Sequence, residues 1–265
     1  HQDVMSARAT GCCLLAESNV QEVMDLSAVA HLSALKGSLP FINFFDGFRT
    51  SHEIQKVEVM EFDKLKGLVD TEALQNFRNR ALNPDAPVIR GTAENPDIYF
   101  QHCEANNKYY DAMPDIVADY MAKISEITGR TYKPFNCYGA EDAEYVIVSM
   151  GSLSDVAYQA VKYLNKTGEK VGVINVHLYR PFSAKHLQAV LPKTVRKIAV
   201  IDRTKEPGAN GEPLYLDVKD CFYGRENAPI IVGGRYGLSS KDTTPAQIIS
   251  VFENLALNEP KNHFT

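Results

Sequence analysis

From Tyr145 onward, short apolar runs alternate with amphipathic stretches, and this alternation constrains the fold more than any other feature. Tyr145-Val-Ile-Val-Ser-Met, Val171-Gly-Val-Ile-Asn-Val-His-Leu, Lys197-Ile-Ala-Val-Ile and Ile230-Ile-Val-Gly are rich in β-branched residues and read as buried strands. Between them, Ser154 caps a helix bearing Val156, Ala160, Val161 and Leu164. Further helices run from Ser183 to Leu191 and from Leu214 to Tyr223. Thr244-Pro-Ala-Gln opens the last helix with a cap, a proline at the first position and Gln247 completing a capping box. Ile248, Ile249, Val251, Phe252 and Leu255 form its apolar face. Such alternation predicts a mostly parallel sheet with helices on both faces.

The earlier part of the chain holds a βαβ unit: strand Cys12–Ala16, helix Asn19–Lys36 and a strand opened by Pro40. Ser18 with Gln21, or Asn19 with Glu22, has capping-box spacing, and Gly37-Ser38 ends the helix. Phe41, Ile42, Phe44 and Phe45 make an almost unbroken apolar run, which reads as a strand covered on both faces. Asp46-Gly47 then turns the chain and places Arg49, His52 and Glu53 past the strand's carboxyl end. Ligands bind at that edge of open α/β sheets, yet an ion-paired corner locking an interface gathers the same residues. The polar segment His1–Gly11 reads as a loop that either lines a pocket or is solvated.

Beyond Glu53, Lys56–Phe62 alternates like an edge strand or an extended connector, and Thr71–Leu82 reads as a helix capped by Thr71. Prolines 84, 87 and 96 make 83–97 irregular. Met113, Ile116, Val117, Tyr120, Met121, Ile124 and Ile127 trace a helical stripe terminated by Gly129. Thr128 to Asp142 then mixes turn and polar residues between two strongly patterned regions, which reads as a seam between two domains.

Composition excludes several classes. The 265 residues carry a net charge of -5 with no basic stripe, which argues against nucleic acid. No apolar run approaches the ~20 residues that span a bilayer, and no signal peptide is evident. Cys12, Cys13, Cys103, Cys137 and Cys221 include no Cys-x-x-Cys pair, so no metal or cluster framework is expected. The chain opens at His1 without an initiator methionine and reads as a piece of a longer protein. The strand-end loops Tyr179–Phe182, Asp202–Tyr215 and Gly233–Gly237 either meet ligands or simply turn the chain. The last matches no phosphate or dinucleotide fingerprint.

Phe44-Phe-Asp-Gly-Phe-Arg-Thr-Ser-His-Glu resembles a signature of the pyruvate:ferredoxin (flavodoxin) oxidoreductases, thiamine diphosphate enzymes that oxidise pyruvate to acetyl-CoA. Arg90-Gly-Thr-Ala-Glu-Asn-Pro-Asp-Ile-Tyr-Phe-Gln, Leu178-Tyr-Arg-Pro-Phe, Asp202-Arg-Thr-Lys-Glu-Pro-Gly-Ala and Gly234-Arg-Tyr-Gly-Leu carry the same resemblance, so it runs over nearly the whole chain. It implies an α/β protein of two domains: 1–132, the latter part of a thiamine-pyrimidine-binding domain, and 133–265, a domain similar to the carboxyl-terminal domain of transketolase. It implies His1, Asp3 and Arg8 as cofactor-loop residues and Asp46, Arg49, His52 and Glu53 as cleft or interface residues. It places no catalytic residue and no metal ligand in this stretch.

For the longer protein, the resemblance implies thiamine diphosphate, Mg2+ and 4Fe-4S iron-sulfur clusters as cofactors. It implies pyruvate, coenzyme A and ferredoxin or flavodoxin as partners, a homodimer, and a cytoplasmic or hydrogenosome-like location. The chain alone is expected to be inactive and to bind no cofactor by itself. The alternatives are the pyruvate half of a pyruvate:NADP oxidoreductase and a non-catalytic scaffold or interaction module.

Overall fold

Buried at every residue, β1 (Cys13–Glu17) is the strand on which the first part of the chain is built. In the computed structural model, which describes residues 1–89, 91 and 93–265, it is preceded by α1 (Gln2–Ser6) and a 3-10 turn at Ala7–Ala9. The opening segment is thus helical, where its polarity suggested a loop. α2 (Val20–Gly37) follows β1. Asn19 Oδ1 accepts from the Glu22 amide at 3.0 Å, and the Glu22 carboxylate accepts from the Ser18 amide at 2.6 Å. Ser38, at φ 57°, takes the left-handed position past the helix end. Gly37 instead permits close packing, since a Cβ there would lie 2.2 Å from Met113 Cε.

β2 (Phe41–Phe45) pairs parallel with β1, completing the βαβ unit. It is not covered on both faces: Asn43 and Phe45 are exposed, because β2 is an edge of the three-stranded sheet β2-β1-β6. Between Ser51 and Tyr109 no described residue is buried. This stretch holds α3 (Phe62–Gly67), α4 (Thr71–Asn79) and α5 (Tyr99–Ala105), and its described residues form no strand at Lys56–Phe62. Asp70, not Thr71, caps α4 by accepting from the Ala73 amide at 2.9 Å. Arg90 and Thr92 of the Arg90–Gln101 motif lie outside the described residues. α6 (Asn107–Thr128) then packs its apolar stripe on α2 and ends at Gly129, φ 72°.

The expected irregular seam contains a strand, β3 (Phe135–Gly139). After it come β4 (Tyr145–Ser149), α7 (Leu153–Lys166), β5 (Val171–Val176), β6 (Leu178–Arg180), α8 (Ala184–Val190), β7 (Lys197–Asp202), α9 (Pro213–Asp220), β8 (Ile230–Arg235) and α10 (Pro245–Ala256). The second sheet has the order β3-β5-β4-β7-β8 and is parallel except for β3, which makes it mixed. Ser152, not Ser154, occupies the N-cap of α7. The Ser154 hydroxyl is engaged elsewhere, donating to Asn175 Oδ1 at 2.8 Å.

The apolar run at 171–178 is two strands, not one. At His177 the chain leaves the second sheet, and β6 pairs antiparallel with β1. The amides of His177 and Leu178 both donate to the Pro134 carbonyl, at 3.0 and 3.1 Å, while the Ala16 amide donates to the His177 carbonyl at 2.7 Å. Three apolar layers result. Cys13 and Leu15 pack with α2 and α6. Leu14 and Ala16 share a layer with Val146, Val148, Ile174, Val176 and the inner faces of α8 and α9. α7 and α10 cover the far face of the second sheet. No helix among the described residues is long and apolar enough to cross a membrane.

Candidate functional site at the seam between the sheets

In the second sheet the chain steps from β4 outward to β5, then returns to the other side of β4 with β7 and continues to β8. The direction of winding therefore reverses between β4 and β7. At such a switch point the loops at the carboxyl ends diverge and leave a crevice, the usual ligand position of an open α/β sheet. Ser152 and Arg203 line this crevice, one following β4 and the other β7.

What enters it is Asp46, the residue after β2. Its side chain is fully enclosed and 2.9 Å from Arg203 Nη1. Asp46 Oδ2 also accepts from the Ser152 amide at 3.0 Å and from the Ser152 hydroxyl, and Oδ1 meets the His1 imidazole at Nε2. The His1 side chain is 4% exposed and its ring lies edge-on to Phe44 at 5.6 Å. Gly151, at φ +76°, makes room: a Cβ there would lie 2.7 Å from Asp46 Oδ1. The carboxylate thus sits at the amino end of α7, where unpaired amides and the helix dipole favour an anion.

Arg203 is fully engaged in holding this corner. Nε donates to the Gly237 carbonyl at 3.2 Å, and Nη2 to Ser240 Oγ at 3.0 Å and the Gly47 carbonyl at 3.4 Å. Arg49, from the same turn as Asp46, donates to the Ser240 carbonyl and pairs with Asp242. Arg8 reaches across to Glu206, its Nη2 donating to both carboxylate oxygens at 2.9 Å. The structure therefore gathers His1 and Asp46, with Arg49 and Arg8 bracing the same seam. Asp3, which accepts from the amide of Val4, lines the cleft beside this corner, and Glu53, which accepts from Gln55, lines a smaller hollow with Arg49, Ser152 and Arg203, while His52 meets Ser51 Oγ. A cleft of about 440 Å³ opens beside the corner, bounded by His1, Phe44, Phe48, Arg203 and Ser240. A larger hollow of about 520 Å³ lies under α10 and is lined in part by Arg235, Tyr236 and Gly237 of the Gly233–Gly237 loop.

A second buried polar group ties β1 to β5 and β6. Asn175 Nδ2 donates to Ser18 Oγ at 2.9 Å, and His177 Nε2 lies 3.3 Å from Glu22 Oε1. Burial disfavours the charged His177 ring, but Glu22 beside it, the Lys133 carbonyl and Glu17 reverse this and leave its pKa raised. Burial likewise pushes Glu22 up, and His177 with Ser18 outweighs it, so that carboxyl is held low. Glu17, 0% exposed, accepts from Asn43 Nδ2 at 3.2 Å, and its Oε2 has no partner among the described residues. Burial drives its pKa up to about 8, against the Asn43 hydrogen bond, with Glu22 adding to the rise. Glu17, Glu22, His177, Ser152 and the Asp46–Arg203 pairing were not legible as a site. Only Glu17 leaves a local trace, a charge closing an otherwise apolar strand.

The other strand-end loops have structural explanations. Arg180 stacks over the Tyr179 ring at 4.2 Å and pairs with Asp217 at 2.9 Å. Gly234 packs under Phe264, whose Cε2 would lie 2.3 Å from an added Cβ.

Two family models match this chain in succession. Residues 1–122 match pyruvate flavodoxin/ferredoxin oxidoreductase, thiamine diphosphate-binding, and residues 143–248 match pyruvate:ferredoxin oxidoreductase core domain II. The chain belongs to the pyruvate flavodoxin/ferredoxin oxidoreductase family. Among relatives in that family, a pyruvate-flavodoxin oxidoreductase of Klebsiella pneumoniae is 62% identical over 265 residues, covering 100% of this chain and 23% of its own length. A pyruvate:ferredoxin oxidoreductase of Moorella thermoacetica is 56% identical with the same coverage. The chain thus spans 23% of the length of these oxidoreductases. Among solved structures, a 2-oxoglutarate:ferredoxin oxidoreductase from Magnetococcus marinus superposes with a TM-score of 0.53 at 17% identity. It covers 96% of this chain and 44% of its own, which speaks for the fold alone.

Proposed function

We propose that this chain is a structural portion of a pyruvate-oxidising enzyme, one that joins pyruvate to coenzyme A as acetyl-CoA and passes electrons to flavodoxin or ferredoxin. One observation carries the reading: identity of 62% to a pyruvate-flavodoxin oxidoreductase extends over 100% of the chain rather than over one shared module. Within it, 1–132 and 133–265 act as two domains, the second lending β6 to the sheet of the first. The unmatched interval between the two family models, 123–142, supports a junction there. The exposed apolar side chains between Phe48 and Phe100 support burial against a second subunit.

Thiamine diphosphate is the cofactor that the first family model implies. Its diphosphate needs amide or cationic donors, and the accompanying magnesium needs oxygen ligands in octahedral array. Among the described residues no group of three or more His, Cys, Asp or Glu is placed for a metal, and the amino end of α7 is already taken by Asp46. The side chains of this chain therefore do not fit the diphosphate and metal end by themselves. Iron-sulfur ligation belongs to the rest of the longer protein in this reading, as the five cysteines here include no Cys-x-x-Cys spacing. His1 and the cleft beside Phe44 and Phe48 are the residues we assign to the cofactor side of the seam.

The test uses the full-length protein: coenzyme A-dependent reduction of flavodoxin by pyruvate, with 2-oxoglutarate as the competing substrate. Acetyl-CoA formation is expected from pyruvate. Preference for 2-oxoglutarate, or NADP reduction, refutes the assignment. This chain alone should show no turnover and no calorimetric signal with thiamine diphosphate and Mg2+, and micromolar binding would overturn the division of labour.

A further inference from the structure

We infer that the crevice between β4 and β7 is a preformed carboxylate-binding site whose occupant is Asp46, so that the two sheets are joined as host and guest. Asp46 receives a guanidinium N–H from Arg203 at 2.9 Å, the Ser152 amide at 3.0 Å, the Ser152 hydroxyl and the His1 ring. Those are the donors a bound carboxylate would need. Two features make the site built rather than incidental. Arg203 is held by the Gly237 carbonyl and Ser240 Oγ, both outside the Asp46 turn, so these two contacts remain when Asp46 is withdrawn. Gly151 supplies a positive φ and leaves free the space a Cβ would take from the carboxylate. The Arg203 and Ser152 donors come from the second sheet and the carboxylate from the first, so the host keeps these donors when the guest is withdrawn. The ligand class is a small monocarboxylate, and the neighbouring cleft, which His1, Gly47 and Arg203 line, gives it a way in.

This inference does not depend on the reaction proposed above and stands or fails separately. In the full-length protein, amide hydrogen exchange is followed in the peptide covering Asp46–His52, with formate or chloride at equal ionic strength. For Asp46→Ala in chloride, exchange should quicken on the order of a hundredfold, as expected when a buried pair is broken. Formate should restore roughly tenfold or more of that protection along a saturating curve, an effect of a site being filled. The double variant Asp46→Ala/Arg203→Met should show no formate effect, and neither should the unsubstituted protein. If Asp46→Ala does not accumulate in folded form, its refolding yield from urea in formate against chloride tests the same point. Equal behaviour in the two salts overturns the inference. Protection by formate that survives loss of Arg203 also overturns it, because that is general salt stabilisation.

Discussion

Glu17 shows how one residue can oppose the fold that holds it. Its carboxyl is enclosed at the end of β1, with one weak partner and an oxygen that meets no donor among the described residues. Its pKa of about 8 stands well above the ordinary 4.5, so the folded form binds a proton that the unfolded chain releases. Stability from this group is therefore full below pH 4.5 and declines as pH rises towards 8, levelling off beyond it. Glu17→Gln keeps the shape and removes the ionisation. It should raise the unfolding free energy by about 1–3 kcal/mol at pH 8, with little change at pH 4. Urea unfolding at the two pH values checks this, and an equal change at both would show that Glu17 is charged in the folded state.

Among elements, α2 is tied to the segment after α6 by a single enclosed carboxylate. Asp25 of α2 receives Arg130 Nε at 2.7 Å, Arg130 Nη2 at 3.2 Å and the Tyr132 hydroxyl at 2.6 Å. Burial and Asp25 together raise the Tyr132 phenol's pKa strongly. Arg130→Ala leaves Asp25 buried without its counter-charge and should cost about 3–5 kcal/mol. Tyr132→Phe should cost about 1–2 kcal/mol, the loss of one charged hydrogen bond. Denaturant midpoints measure both, and reversal of that order would mean that Tyr132, not Arg130, holds the pair.

Periodicity made most elements readable, because β1, β4, β7, β8 and α10 each carry one clean pattern. It failed at β3, where Phe-Asn-Cys-Tyr-Gly mixes polar and apolar residues. It failed again at His177, where an unbroken apolar run conceals a change of sheet set by the Pro134 carbonyl. Arg203 stood out only as a charge in a strand-end loop. Its partner Asp46 lies on another sheet, and no local pattern records such a pairing. The family resemblance supplied His1 and Asp46 together, with Asp3 on the wall of the adjoining cleft and Glu53 in a smaller hollow beside Arg203.

At the scale of the whole molecule, the stretch from Phe48 to Tyr109 is the anomaly. Ile54, Phe62, Phe77, Leu82, Ile89, Tyr99 and Phe100 are each at least half exposed. At ~150–250 Å² for a large aromatic side chain, these residues together expose on the order of 1,000 Å² of side chain between Ser51 and Tyr109, where no described residue is buried. The chain alone should therefore bind an apolar dye and elute from a sizing column as oligomers. A monomeric peak without dye binding would mean that this stretch folds back on the chain itself.

The return of β6 to the first sheet has a consequence for synthesis on the ribosome. β1 is soon followed by β2, but its other edge stays bare until Leu178 and Arg180 have emerged. By then β3, β4, α7 and β5 have also been made, so the nascent chain carries an open strand edge through the birth of half a second sheet. Such edges recruit neighbouring chains. Translation pauses between β1 and β6 should thus do more harm than pauses after Arg180, where that edge is already closed.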